Sequence, residues 1–277
     1  MISKNIKNSL FDLENKNIVI TGSAGLLGSQ YAQTLCEYGA NLILIDLDEK
    51  NNNKLKNKLE SFSNNKIFCY KSDITDIEDV QLLSKQIKKD FNRIDGLINN
   101  AAFTTKAAVN ESKIKYSTPF ENFSFDIWQK SLAINLTGVY LCSQEFGKIM
   151  SKQKKGVIIN ISSIYGMVGA DQRIYGNNKL NLPVSYAASK GAILNLTRYL
   201  AAYWHGQNIR VTTLTLGGVQ DTRYQDKKFI EKYSEKTILG RMAKKHEYNG
   251  AILFLMSDAS SYMTGSNLIV DGGWTAW

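Results

Sequence analysis

Tyr186 and Lys190 stand four residues apart in "YAASK", and a serine pair, Ser162–Ser163, ends the apolar run "GVIINISS" (156–163). On a helix, residues i and i+4 project from one face, so the phenol and the ammonium would lie together. A free tyrosine titrates near about 10, too high to take a proton readily at neutral pH. A neighbouring ammonium favours the phenolate and lowers that value. Tyr186 is therefore a candidate general acid/base. A serine hydroxyl beside it would hold a substrate oxygen whose charge changes during reaction. Ser163 and Tyr186 are 23 residues apart in sequence. The segment between them, "MVGADQRIYGNNKLNLP", is polar with Gly, Asn and Pro and reads as a loop at the rim of the site.

These residues need a scaffold that brings distant strand ends together. Short apolar runs at 16–22, 41–46, 67–75, 94–102, 156–163, 209–216 and 267–273 alternate with helical spacing at 28–38, 76–91, 125–150 and 185–204. Near-continuous Ile, Leu and Val suit parallel strands buried on both faces. The alternation predicts an α/β doubly wound, mostly parallel seven-stranded sheet with helices on both faces, Rossmann-like, and one catalytic domain over 1–277. Ligands of such sheets bind outside the C-terminal strand ends. The first run leads into "TGSAGLLG" (21–28), where Gly22, Gly25 and Gly28 precede a helix. Glycines there let the backbone approach a pyrophosphate at the helix N-terminus. A tight turn with no ligand explains the same glycines taken alone. The second run ends at Asp46, whose carboxylate would accept adenosine ribose hydroxyls and repel a 2′-phosphate. That favours NAD over NADP, with Lys50 nearby as the opposing charge.

The ordered set "TGSAGLLG", "DIT" with Asp73, "NNAA" (99–102), "SLAINLTGVYL" with Asn135, "NISS", "YAASK", "LGGVQDT" (216–222) and "MTGSNLIVDGG" (263–273) resembles the short-chain dehydrogenase/reductases over nearly the whole chain. It is most similar to the single-domain branch, including gluconate 5-dehydrogenase-like and flagellin-modification or surface-polysaccharide members. The resemblance implies an NAD(H)-dependent oxidoreductase acting on a secondary alcohol or ketone. Ser163 would be the catalytic serine and Ser162 a packing residue. Asn135 would position a water in the proton relay, and Lys190 would hold the nicotinamide ribose. Cofactor contacts fall on Gly22, Ser23, Gly25, Leu26, Leu27, Asp46, Asp73, Ile74, Asn100, Ala101, Ala102, Tyr186, Lys190, Gly217, Val219 and Thr222. Three positions depart from the usual pattern: Leu26 for glycine, Ala102 for glycine, and Leu216 for the proline before Gly217. The last predicts a less rigid nicotinamide-side loop.

Long connections at about 103–124, 166–184 and 222–240 should form the substrate rim. They carry Lys106, Lys113, Lys115, Arg173, Lys179, Arg223, Lys227 and Lys228 beside Tyr116, Tyr175 and Tyr224. Cations beside aromatics suit a sugar ring bearing a phosphate or carboxylate. Surface lysine explains the group as well. Arg173 and Arg223, with Ser163, Tyr165 and Tyr175, are the expected substrate contacts. Two other readings remain open: a 3-oxoacyl thioester reductase, which Asp46 disfavours, and a non-catalytic dinucleotide-sensing module.

Composition removes further classes. Cys36, Cys69 and Cys142 are odd in number and far apart, and with His205 and His246 they make neither a disulfide framework nor a metal site. A cytoplasmic location is expected. No apolar run approaches the roughly 18 residues needed to cross a bilayer. The net charge of +9 is spread over polar helix faces, so no nucleic-acid partner is expected. The family resemblance implies a homotetramer or homodimer, since the helices at 125–150 and 185–204 resemble those that pair subunits there. The aromatic tail with Trp274 and Trp277 should pack at a subunit contact.

Overall fold

A computed structural model describes residues 10–104, 119–175 and 181–277. Seven strands form one sheet in the order β3-β2-β1-β4-β5-β6-β7: β1 Asn17–Thr21, β2 Asn41–Asp46, β3 Ile67–Lys71, β4 Gly96–Asn99, β5 Gly156–Ser163, β6 Ile209–Leu216 and β7 Asn267–Val270. Every pairing is parallel. The strand order reverses between β1 and β4, which opens a crevice at their C-terminal ends.

Strand periodicity builds two cores. Ile18, Ile20, Leu42 and Leu44 face one layer with Tyr31, Leu35, Ile252 and Leu255. Val19, Ile43 and Ile45 face the other with Val80, Leu83, Leu141 and Phe146. Successive strand residues point to opposite faces, so a strand covered on both sides must be apolar throughout.

Eight α-helices are described: α1 Gly28–Glu37, α2 Glu49–Glu60, α3 Ile77–Asp90, α4 Phe125–Leu132, α5 Gly138–Gln153, α6 Val184–Tyr203, α7 Lys227–Ser234 and α8 Asn249–Met256. Asp76 caps α3 by accepting from the Glu78 and Asp79 N–H groups. Lys88 and Lys89 in its last turn complement the dipole.

The segment read as one helix over 125–150 is interrupted. Residues Ala133–Thr137 form a π turn between α4 and α5. The Asn135 side chain faces inward there and bonds the Phe103 backbone from both sides, which accounts for the local widening. Strands β3, β4 and β7 are shorter than the apolar runs that mark them. Beyond β3, Asp73 folds back on Thr75, and beyond β4, Asn100 turns toward β1. The 222–240 connection is partly helical, through α7.

Candidate active site

The phosphate turn follows β1. Gly22 adopts φ +63, and a Cβ on Gly28 would lie 2.2 Å from the Gly22 carbonyl oxygen. The Asn100 side-chain amide donates to the Thr21 and Gly22 carbonyls at 3.1 and 2.9 Å. Thr21 Oγ1 accepts from the Asn100 and Ala101 N–H groups. Asn100 and Ala101 therefore brace the turn from β4, with Ala102 next along the same strand end. Helix α1 has Leu27 at its N-cap, with no side-chain cap and no acid in its first turn, whereas α2, α3 and α4 are capped by Asp48, Asp76 and Ser124. Free N–H groups and an unopposed dipole, reached through the Gly25–Leu26–Leu27 turn, fit a pyrophosphate.

The Ser23 side chain is taken up within the protein, which leaves its backbone for a cofactor. It is fully buried, and its hydroxyl faces the Ile45 carbonyl at 3.2 Å and Asn52 Oδ1 at 2.8 Å. Asn52 in turn donates to the Leu44 carbonyl at 3.0 Å. Sequence reasoning missed Asn52. Its signal is the spacing Asn52–Leu55–Leu59, the buried face of α2.

Asp46 sits at the end of β2. Its Oδ2 accepts from the Ala24 N–H and its Oδ1 from the Asp48 N–H, both at 2.9 Å. It ties strand to turn, and each oxygen keeps a lone pair for a ribose hydroxyl. Asp73 Oδ1 accepts from the Thr75 N–H and hydroxyl. The Ile74 side chain is buried in the core, so only its backbone remains for a cofactor. Val219 makes an isolated bridge with Ala243, and Thr222 is exposed in the turn beyond it.

Ser163, Tyr186 and Lys190 come together at the end of β5 and the start of α6. The Ser163 hydroxyl accepts from the Tyr165 N–H and lies close enough to the Tyr186 phenol to act on it. Lys190 Nζ is buried, lies 5.8 Å from the Tyr186 ring centroid and donates to the Ile161 carbonyl at 2.8 Å. The Ser162 hydroxyl donates to the Lys190 carbonyl at 2.8 Å, so it straps α6 to β5.

The expected lowering of the Tyr186 phenol does not hold in the protein by itself. Burial pushes it above its usual value, opposed by the hydrogen bond from Ser163. The Lys190 ammonium points at a carbonyl instead, and burial brings it down to about 8. The Asn135 side chain is occupied as well. Its Oδ1 accepts from the Phe103 N–H at 2.7 Å, and its Nδ2 reaches the Phe103 carbonyl, Ser131 and Ser189. A relay contact from Asn135 would have to use its backbone in the π turn.

The rim differs from expectation in its charges. Arg173 forms a two-pronged pair with Asp171, and Arg223 does the same with Asp221. Their side chains are 84% and 67% exposed, turned to solvent rather than held out as anion sites. Each Asp lies two residues before its Arg, close enough for a local chelate. Lys106, Lys113, Lys115, Tyr116 and Lys179 lie outside the described residues.

Aromatic rings converge instead. Tyr175 packs on Phe229 at 5.3 Å, Tyr233 on Trp274 at 4.3 Å, and Tyr165 meets Trp274 edge-on. Trp274 is thus buried against its own chain rather than held for a subunit contact, while Trp277 stays exposed and donates to the Lys236 carbonyl. The Tyr165 hydroxyl is buried with no well-formed hydrogen bond among the described residues, and the Tyr175 hydroxyl acts on it.

The loop after Leu216, expected to be less rigid, is contacted by two tyrosines. Gly217 and Gly218 are fixed by Tyr248, which donates to the Gly217 carbonyl at 2.9 Å, and by Tyr233, whose hydroxyl accepts from the Gly218 N–H. Neither tyrosine was foreseen.

The chain matches the enoyl-(acyl carrier protein) reductase family over residues 22–275. It is 33% identical to the post-translational flagellin modification protein A of Campylobacter coli over 262 residues, 95% of this chain and 99% of that protein. A short chain dehydrogenase from Leptospira borgpetersenii, solved with bound NAD+, superposes with a TM-score of 0.83 at 31% identity, covering 99% and 97% of the two chains. A gluconate 5-dehydrogenase from Burkholderia cenocepacia, solved with NADP and tartrate, gives 0.84 at 26% identity over 98% and 99%. With a seven-stranded parallel sheet, a glycine turn and a Ser–Tyr–Lys cluster already in place, the chain belongs to the short-chain dehydrogenase/reductase family.

Proposed function

We propose that the chain is an NAD(H)-dependent oxidoreductase that interconverts a secondary alcohol and a ketone on a sugar-like substrate, in surface-glycan or flagellin-sugar biosynthesis. The observation that carries the reading is the Ser163–Tyr186–Lys190 cluster at the mouth of the crevice. A bound nicotinamide ring supplies or accepts the hydride. Ser163 donates to the substrate oxygen, and Tyr186 passes its proton to or from that oxygen. Lys190, one turn along α6, holds a positive charge beneath the phenol and supports the phenolate once the nicotinamide is positioned. Gly217, Val219 and Thr222 line the nicotinamide side, and Asp46 reads the adenosine ribose and selects NAD. The whole of 1–277 acts as one catalytic unit.

The sugar-like part is supported by the buried Tyr165 hydroxyl, two residues from Ser163, set in an aromatic cluster with Tyr175, Phe229 and Trp274 whose rings pack on one another. The anionic part loses the support of Arg173 and Arg223 and rests on the exposed Lys227 and Lys228. Similarity to the 3-oxoacyl-(acyl-carrier-protein) reductase of Thermotoga maritima, 32% identical over 265 residues, keeps 3-oxoacyl thioester reduction as the second reading.

The test is NAD reduction by purified protein against polyols, gluconate, sugar phosphates and nucleotide sugars, with NADH plus acetoacetyl thioester alongside. Turnover on a sugar-type alcohol is expected, and Tyr186→Phe should lower kcat by about 10²–10⁴. Thioester reduction alone would replace the substrate class.

A further inference from the structure

Two successive glycines, Gly217 and Gly218, follow β6 and begin the loop read as the nicotinamide side of the site, and the inference rests on that reading. Glycine pairs have little conformational preference of their own, so something outside the loop must fix them. Two phenols do so from different elements. Tyr248, at the start of α8, belongs to the sheet's packed core and holds the Gly217 carbonyl. Tyr233 is carried by α7, the helix of the substrate loop, and holds the Gly218 N–H. The contact needs a residue with no side chain. A Cβ on Gly218 would lie 2.5 Å from Tyr233 Cζ and 2.7 Å from its hydroxyl oxygen.

Tyr233 is the inner anchor of α7. Its ring lies on Trp274 at 4.3 Å and beside Phe229 at 6.0 Å. The outer side of the same segment is fastened to the 171–175 strap. Lys236 pairs with Asp171 at 2.8 Å, Lys232 Nζ donates to the Arg173 carbonyl at 3.0 Å, and Phe229 packs on Tyr175. One run of contacts thus leads from the Gly218 N–H through Tyr233 and α7 to Tyr175 and Tyr165, two residues from Ser163.

We infer that Tyr233 is a positioning residue through which the cofactor loop and the substrate loop order each other. A cofactor that fixes the 217–222 loop presents the Gly218 N–H to Tyr233. That bond seats α7, which places the tyrosines facing the substrate. The converse follows from linkage: seating α7 tightens the cofactor.

The experiment uses the full chain, wild type, Tyr233→Phe and Tyr248→Phe, with NADH and NADPH as probes. Phenylalanine at 233 keeps the ring stack and removes only the acceptor. Dissociation constants come from tryptophan-to-NADH energy transfer. Limited trypsin digestion reads α7 directly, through cleavage after Lys227, Lys228, Lys232 and Lys236. In the wild type, saturating cofactor should slow cleavage there. Tyr233→Phe should abolish most of that protection and raise the dissociation constant by about fivefold, the scale of one modest hydrogen bond. Tyr248→Phe should weaken cofactor binding but keep the protection, because its phenol is not on α7. Equal protection in Tyr233→Phe and wild type overturns the inference, as does equal loss in both variants. A wild type that binds neither probe overturns the cofactor reading itself, and the coupling with it.

Discussion

Lys190 is a cation held where a cation is costly. It is buried among β5 and α6 with a single carbonyl as its described partner, and burial lowers it from 10.5 to about 8. Between those two values the unfolded chain binds more protons than the folded one, so Lys190 penalises folding most below pH 8 and progressively less as the pH rises. In Lys190→Met that dependence is gone. The unfolding free energy of the variant minus that of the wild type should therefore fall by roughly 2–3 kcal/mol from pH 7 to pH 10, measured by urea denaturation. Taking the difference cancels the other groups that titrate in this range, the buried Cys69 and Cys142 thiols among them. A difference independent of pH would mean that Lys190 is not desolvated. The i, i+4 spacing of Tyr186 and Lys190 was legible in the sequence because a helix repeats locally. The direction of Nζ was not. It depends on the Ile161 carbonyl, offered by a strand far away in the chain. The pairing of Arg173 with Asp171 is the opposite case: the partner stood two residues away, but a loop sequence does not say whether a guanidinium turns inward or back on its neighbour.

At the scale of elements, α2 looks expendable and is not. Its sequence, "EKNNNKLKNKLE", reads as a solvated lysine-rich helix, and most of it is exposed. Asn52 alone of its three consecutive asparagines is buried, at 1% exposure, where it joins β2 to the phosphate turn through Leu44 and Ser23. Asn52→Ala would leave the Leu44 carbonyl and the Ser23 hydroxyl short of a partner. A loss of about 1–3 kcal/mol of stability is expected. The dissociation constants for NAD and NADP should rise by the same factor, since the turn serves the pyrophosphate that both share while Asp46 still discriminates at the ribose. A changed ratio between the two would place Asn52 in ribose recognition instead. The strands were legible as elements because burial on both faces leaves an unbroken apolar signature. Their ends were less so: the segments read as strands run on past β3, β4 and β7 into the polar and glycine turns that build the site. The π turn at Ala133–Thr137 had no signature, because the partner of its Asn135, the Phe103 backbone, lies 32 residues away in the chain.

Assembly is decided at the scale of the whole molecule, and there the helical face matters more than the tail. A net charge of +9 opposes self-association unless a sizeable uncharged area is covered. Trp274 already lies against its own chain, so the C-terminus offers mainly Trp277. Helices α4, α5 and α6 offer more: Phe125, Tyr140, Tyr199 and Tyr203 are all exposed, and Tyr199 and Tyr203 stack one turn apart at 6.1 Å. They lie toward the end of α6, beyond the turns that bury Ser189, Lys190 and Ile193. A second copy packed on them would stiffen the helix that carries Tyr186 without entering the site. Joint replacement of Tyr199 and Tyr203 by Glu should reduce the sedimenting mass to that of one chain, because four carboxylates facing one another across a two-fold contact are costly to desolvate. Circular dichroism should be unchanged, since neither side chain contributes to a core. Turnover should fall in kcat more than in cofactor affinity, because α6 positions the proton-transferring phenol and not the phosphate turn. An unchanged mass in the double variant would move the contact elsewhere, and a wild type that sediments as a single chain would remove the assembly expected from these helices altogether.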